Sequence, residues 1–332
     1  MRRRQSVKPK GDRVLQKVWL SALMLIFFNH IAFAQLNDKS GHTLALSVSL
    51  GALAGDTEEI VYIDGTSRDR LSLLIWEIKP LFYAGLDIHY GWQSKRTFLG
   101  AFSDVNLKFG IPAKTGVLED RDWFDSSENT YPYWLTHYSE HENKTKAAVL
   151  LDFRAGVSFK LNYGLKLSSF LSYSLMFYSW DASSGSYLYP WTGGHSYNTS
   201  SEKVITYKQQ WHIVSPGVSF SGAFNRFFGL ELSLKLSPLI WLVSVDDHIK
   251  TNTVYTDMPR WGFFMEPALL FSFDTGTFVS LLFSYSFRYI TGSRGDSFDQ
   301  MGEIINKTYN VAGAAYSVHD FGITAKFTIF NL

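Results

Sequence analysis

The stretch Ala147-Ala148-Val149-Leu150-Leu151-Asp152-Phe153-Arg154-Ala155-Gly156-Val157-Ser158-Phe159-Lys160-Leu161 decides the fold. Its odd positions, Ala147, Val149, Leu151, Phe153, Ala155, Val157, Phe159 and Leu161, are all apolar, whereas the even ones include Asp152, Arg154, Ser158 and Lys160. Successive side chains of an extended strand point to opposite faces, so the segment predicts a long strand with one face in an apolar medium and the other in a polar one. The pattern returns in Leu44, Leu46, Val48 and Leu50 against Thr43, Ala45, Ser47 and Ser49. Trp76, Ile78, Phe82, Ala84, Leu86, Ile88 and Tyr90 continue it against Glu77, Lys79, Asp87 and His89. So do Leu230, Leu232, Leu234 and Leu236 against Glu231, Ser233, Lys235 and Ser237, and Val279, Leu281, Phe283, Tyr285 and Phe287 against Ser280, Ser284, Ser286 and Arg288.

Turn signals divide the chain into roughly ten such strands, with connections that alternate in length. Short ones lie near Gly91–Ser94, Asn162–Gly164, Ala223–Phe227 and Asp274–Gly276. Long polar ones lie near Ala54–Arg70, Gly110–Thr145, Asp181–Lys203, Asp246–Pro259 and Thr291–Lys307. Long strands joined by short turns on one side and long loops on the other predict an all-β, ten-stranded antiparallel transmembrane β-barrel with long extracellular loops. A soluble β-sandwich also alternates, but its strands are usually shorter.

The first residues support export. Arg2, Arg3, Arg4, Lys8, Lys10, Arg13 and Lys17 precede the apolar run Val18–Phe28, and Ala32-Phe33-Ala34 supplies small residues where a leader would be cut. Residues 1–34 are expected to be a signal peptide and 35–332 a single barrel domain. Without residues 1–34 the chain carries 24 basic and 29 acidic residues, a net charge of −5. That balance argues against a nucleic-acid partner. The absence of Cys from all 332 residues excludes disulfide scaffolds, Cys-ligated zinc and thiol nucleophiles. No phosphate loop, zinc-helix or calcium-loop pattern occurs, so neither cofactor nor metal is expected.

Two clusters in the polar stretches carry chemistry. In Glu119-Asp120-Arg121-Asp122-Trp123, Asp120 and Asp122 are two apart and project to one side of an extended chain. Two close carboxylates cannot both ionise freely, so the pair can share a proton and hold a water. In Ser244-Val245-Asp246-Asp247-His248, Ser244, Asp246 and His248 share a face. An Asp beside an imidazole is the pair that orients a general base.

The surrounding residues resemble the omptins, ten-stranded outer-membrane endopeptidases, over essentially the whole length after residue 34. Leu50-Gly51-Ala52-Leu53-Ala54-Gly55 with Glu59-Ile60-Val61-Tyr62 is similar to the family's first strand and loop. Asp120-Arg121-Asp122-Trp123-Phe124-Asp125-Ser126-Ser127 resembles its D-x-D-W-x-D-S-S, and Tyr178-Ser179-Trp180-Asp181-Ala182-Ser183-Ser184-Gly185-Ser186-Tyr187 its Y-S-F-T-A-x-G-G-S-Y. Ile205-Thr206-Tyr207-Lys208-Gln209 resembles the start of the sixth strand, and Asp246-Asp247-His248 stands at the catalytic D-x-H. The resemblance implies catalysis by Asp120, Asp122, Asp246 and His248 on an activated water, without a covalent intermediate. It places the groove at the exterior mouth of a monomeric barrel in the bacterial outer membrane, with polypeptides as substrates.

Departures from the family pattern qualify this. Of the two acids implied to bind a basic substrate side chain, Glu59 is present but the other position is Ser244. Asp247 and Asp257 are nearby acids that could compensate. The family's W-T-D-x-S-x-H-P is altered here to Trp134-Leu135-Thr136-His137-Tyr138-Ser139-Glu140-His141-Glu142. Positions implied to bind lipopolysaccharide are Leu175, Phe177 and Gln210, with Arg260 preserving one cation, so this outer-membrane lipid site is expected to be degenerate. The alternative to an endopeptidase is a non-catalytic barrel acting as an adhesin or structural protein. A wide porin channel is disfavoured because ten strands leave a lumen filled by side chains.

Overall fold

In the computed structural model, residues 40–66, 68–124, 135–161, 164–189 and 195–331 are described. The expected leader 1–34, Asp125-Ser126-Ser127 and Trp134 lie outside the described residues. The alternating sequence forms thirteen strand segments among the described residues. They are β1 (Ser40–Tyr62), β2 (Arg70–Ser94), β3 (Leu99–Gly110), β4 (Ala113–Asp122), β5 (His137–Lys160), β6 (Leu165–Tyr189) and β7 (His195–Ala223). The remainder are β8 (Phe228–Ser237), β9 (Ile240–His248), β10 (Thr253–Arg260), β11 (Phe263–Asp274), β12 (Val279–Met301) and β13 (Ile304–Asn331).

Three pairs of segments are halves of broken strands. β3 and β4 part at Ile111-Pro112, and β8 and β9 at Pro238-Leu239, where proline has no N–H for the ladder. β10 and β11 part at Trp261-Gly262, where Trp261 takes a left-handed φ of 59°. Counting each pair once leaves ten strands. β5 joins both β3 and β4, β7 joins both β8 and β9, and β12 joins both β10 and β11. The antiparallel ladder from Thr43↔Asn331 to Val61↔Ala312 closes the ring between β1 and β13. Among the described residues closure leaves no sheet edge unpaired, which is what hydrocarbon demands of a spanning sheet.

The short turns stand where expected, between β2 and β3, β5 and β6, β7 and β8, and β11 and β12. At the other end most residues of the long polar connections are themselves strand. Tyr138–Thr145 of β5, for example, pairs with Trp180–Leu188 of β6. Beyond the lipid both faces of a strand meet water or polar groups, so the alternation of hydropathy fades while the backbone pairing continues.

Outward-facing Leu46, Val48, Leu50, Phe82, Leu86, Ile88, Leu171, Val218, Phe220, Leu232, Phe321 and Ile323 form an exposed apolar band toward the short-turn end. A band of this extent on a soluble surface would aggregate, whereas lipid covers it favourably. On β1 the same face turns polar at Asp56 and Glu58, so the long-hairpin end projects beyond the band. One expected face does not run through: Trp76 and Ile78 point inward, whereas Phe82, Leu86 and Ile88 point outward. The switch occurs at Lys79-Pro80, where two consecutive residues are exposed and the ladder to β3 and β4 is interrupted.

Polar even positions of the opening stretch line the lumen. Arg288 Nε donates to Glu266 Oε2 at 2.6 Å and also pairs with Asp152. Lys235 reaches Asp152 at 3.2 Å and Glu266 at 3.0 Å, and Arg154 Nε donates to Asp104 Oδ2 at 2.6 Å. Burying charge is costly unless it is paired, and these buried charges are. Toward the long hairpins an aromatic layer follows. Trp76 stacks on Tyr207 at 5.1 Å and Trp180 on Tyr178 at 5.0 Å, and the hydroxyls of Tyr178 and Tyr316 bond at 2.7 Å.

Candidate active site

β4 presents Asp120 and Asp122 inward, two residues apart. Asp122 stands opposite Ser72 of β2 and accepts a hydrogen bond from its hydroxyl. Asp120 stands opposite Ser139 of β5. On the far side of the ring, β9 presents Ser244, Asp246 and His248 inward, with Asp247 on the opposite face. Of the ten strands, the third carries the first pair and the seventh the second, so the pairs face one another across the mouth.

His248 Nε2 lies 2.6 Å from Asp246 Oδ2. With Nε2–H donating to the carboxylate, Nδ1 becomes the basic nitrogen. Tyr255 of β10, opposite Asp246, meets the imidazole edge-on, with ring centroids 5.3 Å apart at 77°.

The four groups behave electrostatically as one set. Burial, and then the charge of Asp122, push the Asp120 carboxyl up to about 8, against the opposing charge of His248. Burial also raises Asp122, to about 6, against the Ser72 hydrogen bond and His248. Burial works against protonating His248, but the hydrogen bond and charge of Asp246, with the charges of Asp120 and Asp122, outweigh it and raise its pKa. Each pair therefore lies within electrostatic reach of the other, although more than a hundred residues separate them in sequence. At neutral pH such an arrangement can hold a proton on the carboxyl pair and position a water between the pair and an imidazole.

The residues expected to contact substrate lie deeper. Glu59 of β1 is 3% exposed and Ser244 2% exposed. The Ser244 hydroxyl interacts with Tyr207. Asp257 of β10 is the direct ladder neighbour of Ser244 and points inward, 2% exposed. Of the two acids considered as compensation, Asp257 thus faces the interior and Asp247 does not. The altered word contributes Ser139 beside Asp120, with His141 Nε2 3.1 Å from the Ser139 hydroxyl.

Leu175 and Phe177 project from the outer face of β6. Gln210 on the neighbouring β7 is exposed, its amide 2.9 Å from His212 Nε2, and Arg260 is exposed on β10. Among the described residues, no group of three or more His, Cys, Asp or Glu is arranged to hold a metal ion.

Ser72, Ser139 and Tyr255 are site residues that sequence reasoning did not single out. Tyr255 had a signal: Thr253, Tyr255 and Asp257 mirror Ser244, Asp246 and His248 about the connection 249–252, a symmetry visible once that connection is read as a tight hairpin.

Comparison with known proteins gives a consistent relationship. The outer membrane protease IcsP of Shigella flexneri is 26% identical over 289 residues, covering 82% of this chain and 86% of that protein. The plasminogen activator of Yersinia pestis is 24% identical, covering 66% of this chain and 67% of its own length. The crystal structure of the outer membrane protease OmpT from Escherichia coli superposes with a TM-score of 0.78 at 19% identity, over 86% of this chain and 97% of that one, and shows the barrel fold. The model of the omptin family matches residues 40–329. With nearly the entire barrel matched, the chain belongs to the omptin family.

Proposed function

We propose that this outer-membrane barrel is an endopeptidase with its groove open to the exterior, hydrolysing peptide bonds near basic residues. The observation that carries the reading is the Asp246–His248 pair held at 2.6 Å and electrostatically coupled across the mouth to Asp120 and Asp122. Its protease relatives support the reaction class.

A water lies between the imidazole and the carboxyl pair. Asp246 orients His248 and stabilises the imidazolium, while His248 takes a proton from the water through Nδ1. The water oxygen attacks the scissile carbonyl and a tetrahedral intermediate forms. Asp122 accepts a hydrogen bond from the hydrogen that stays on the attacking oxygen, and protonated Asp120 donates a hydrogen bond to the developing negative charge. His248 then returns its proton to the leaving amine nitrogen as the C–N bond breaks. No acyl-enzyme arises, and none of the abundant serines acts as nucleophile. Phosphate groups of lipopolysaccharide find weak purchase on Leu175, Phe177 and Gln210, and the barrel works as a monomer.

The test is cleavage of a panel of cationic peptides by the refolded full-length barrel and by His248→Ala. Cleavage by the parent and its loss in the folded variant support the reading. A folded parent that cuts none of the peptides points instead to an adhesin or structural barrel.

A further inference from the structure

Several buried acids of the lumen are paired with cations: Asp152 and Glu266 with Arg288 and Lys235, Asp104 with Arg154, and Asp320 with Lys108. Glu59 and Asp257 break that pattern. Both are almost wholly buried, yet each leans on the other, and Asp257 also on the Ser297 hydroxyl, rather than on a cation: neither residue forms an ion pair among the described residues. The two carboxyls nevertheless come close enough to influence each other's ionisation, and both sense Asp246. An unpaired buried carboxylate is expensive, so a pocket holding two calls for a cation from outside.

Position in the ladder says which cation. Asp257 is directly opposite Ser244, and residues opposed in an antiparallel pair have Cβ atoms roughly 4.5–5.5 Å apart. An acid at 257 can therefore reach much of the space that an acid at 244 would reach. Ser244 lies two residues before Asp246 on the same face, about 7 Å deeper along the strand. That is close to the reach of an extended Lys or Arg stem whose backbone lies at the level of the Asp246–His248 pair.

We propose that Asp257 supplies, from the neighbouring strand, the second acid of the substrate pocket, and that with Glu59 it holds the guanidinium or ammonium of the residue on the acyl side of the scissile bond. This rests on the endopeptidase reading above. Glu59 on β1 and Asp257 on β10 reach the pocket from different strands, an arrangement suited to a planar guanidinium with donors along two edges. Arginine is therefore preferred to lysine. Ser244 leaves room for the Asp257 side chain and a hydroxyl for Tyr207.

The test uses two peptides that differ only at this residue, arginine in one and its neutral isostere citrulline in the other. The full refolded barrel, Asp257→Asn and the double variant Ser244→Asp/Asp257→Ser are compared. The parent is expected to favour arginine by about a hundredfold. Asp257→Asn should lower that ratio by about tenfold or more, and the double variant, which moves the acid across the ladder, should recover most of it. A ratio unchanged in Asp257→Asn overturns the proposal. Calorimetric titration of the parent with blocked arginine amide and blocked citrulline amide reads the pocket without turnover. Binding of the arginine compound alone by a barrel that cuts nothing supports the pocket while rejecting the endopeptidase reading. Equal binding of both compounds, or of neither, rejects the pocket.

Discussion

His248 and Asp246 are two residues apart on β9, and Nε2 of the one lies 2.6 Å from Oδ2 of the other. The contact follows from strand geometry, since residues i and i+2 share a face, and it leaves Nδ1 as the basic nitrogen. His248→Ala is expected to lower kcat/KM by about a thousandfold or more, and Asp246→Asn by about a hundredfold, within the usual range for general-base catalysis. Asp120→Ala should likewise abolish cleavage. All three should keep the heat-modifiable gel mobility of a folded barrel; its loss would assign the residue a structural role.

Activity should follow a bell in pH. His248 must be neutral to accept a proton, and its pKa is raised above 6.5, so activity falls as pH drops through that raised value. Asp120 must keep its proton to donate a hydrogen bond, and it ionises at about 8, so activity falls again as pH rises. A kcat/KM profile of the full barrel should peak between the raised His248 value and about 8. Asp120→Asn, which retains an N–H donor, should lose the alkaline limb. A parent profile that stays flat to pH 9 would contradict this role for Asp120.

Stability should record the unpaired acid at position 257. Asp257 ionises at about 6 in the barrel, raised chiefly by burial, against 3.8 for an ordinary Asp. The folded protein therefore holds this proton more tightly than the unfolded chain. The associated stability is fully present below about pH 4 and is lost as pH rises through about 6. Asp257→Asn removes the loss and should stabilise the barrel by about 3 kcal/mol at pH 8, with little effect at pH 4. Urea midpoints of parent and variant at both pH values measure the difference; equal midpoints at pH 8 would refute it.

Dependence on lipopolysaccharide should be slight. Leu175 and Phe177 offer hydrocarbon contact on the outer wall, and the Gln210 amide is engaged with His212. One Arg260 cannot supply the several charge-assisted bonds that a phosphate group wants. Peptide-cleavage rates with and without added lipopolysaccharide, at fixed protein concentration, should differ by less than about tenfold. A rise of a hundredfold, about 2.7 kcal/mol in the barrier, would mean that other residues bind the lipid.

Residues 147–161 carry the barrel in their alternation because their two faces meet different media, lipid outside and the Asp152 and Arg154 charge network within. Where both faces leave the membrane, as at Tyr138–Thr145, that contrast disappears, and strand could be mistaken for loop. The two side-chain pairs were legible for a similar reason: Asp120 with Asp122, and Asp246 with His248, are local consequences of a two-residue repeat. Their opposition across the mouth is not local. It depends on ten strands closing between β1 and β13, which sets how far around the ring the third and seventh strands lie. The partnership of Ser244 with Asp257 depends on where the β9–β10 hairpin turns, because a shift of one residue in register would send Asp257 to the outer face. Sequence alone therefore determined the strand period, the apolar face and the adjacent Asp–Asp and Asp–His pairs, whereas ring closure and register, which arise only when distant backbones pair, decided which acids come near one another.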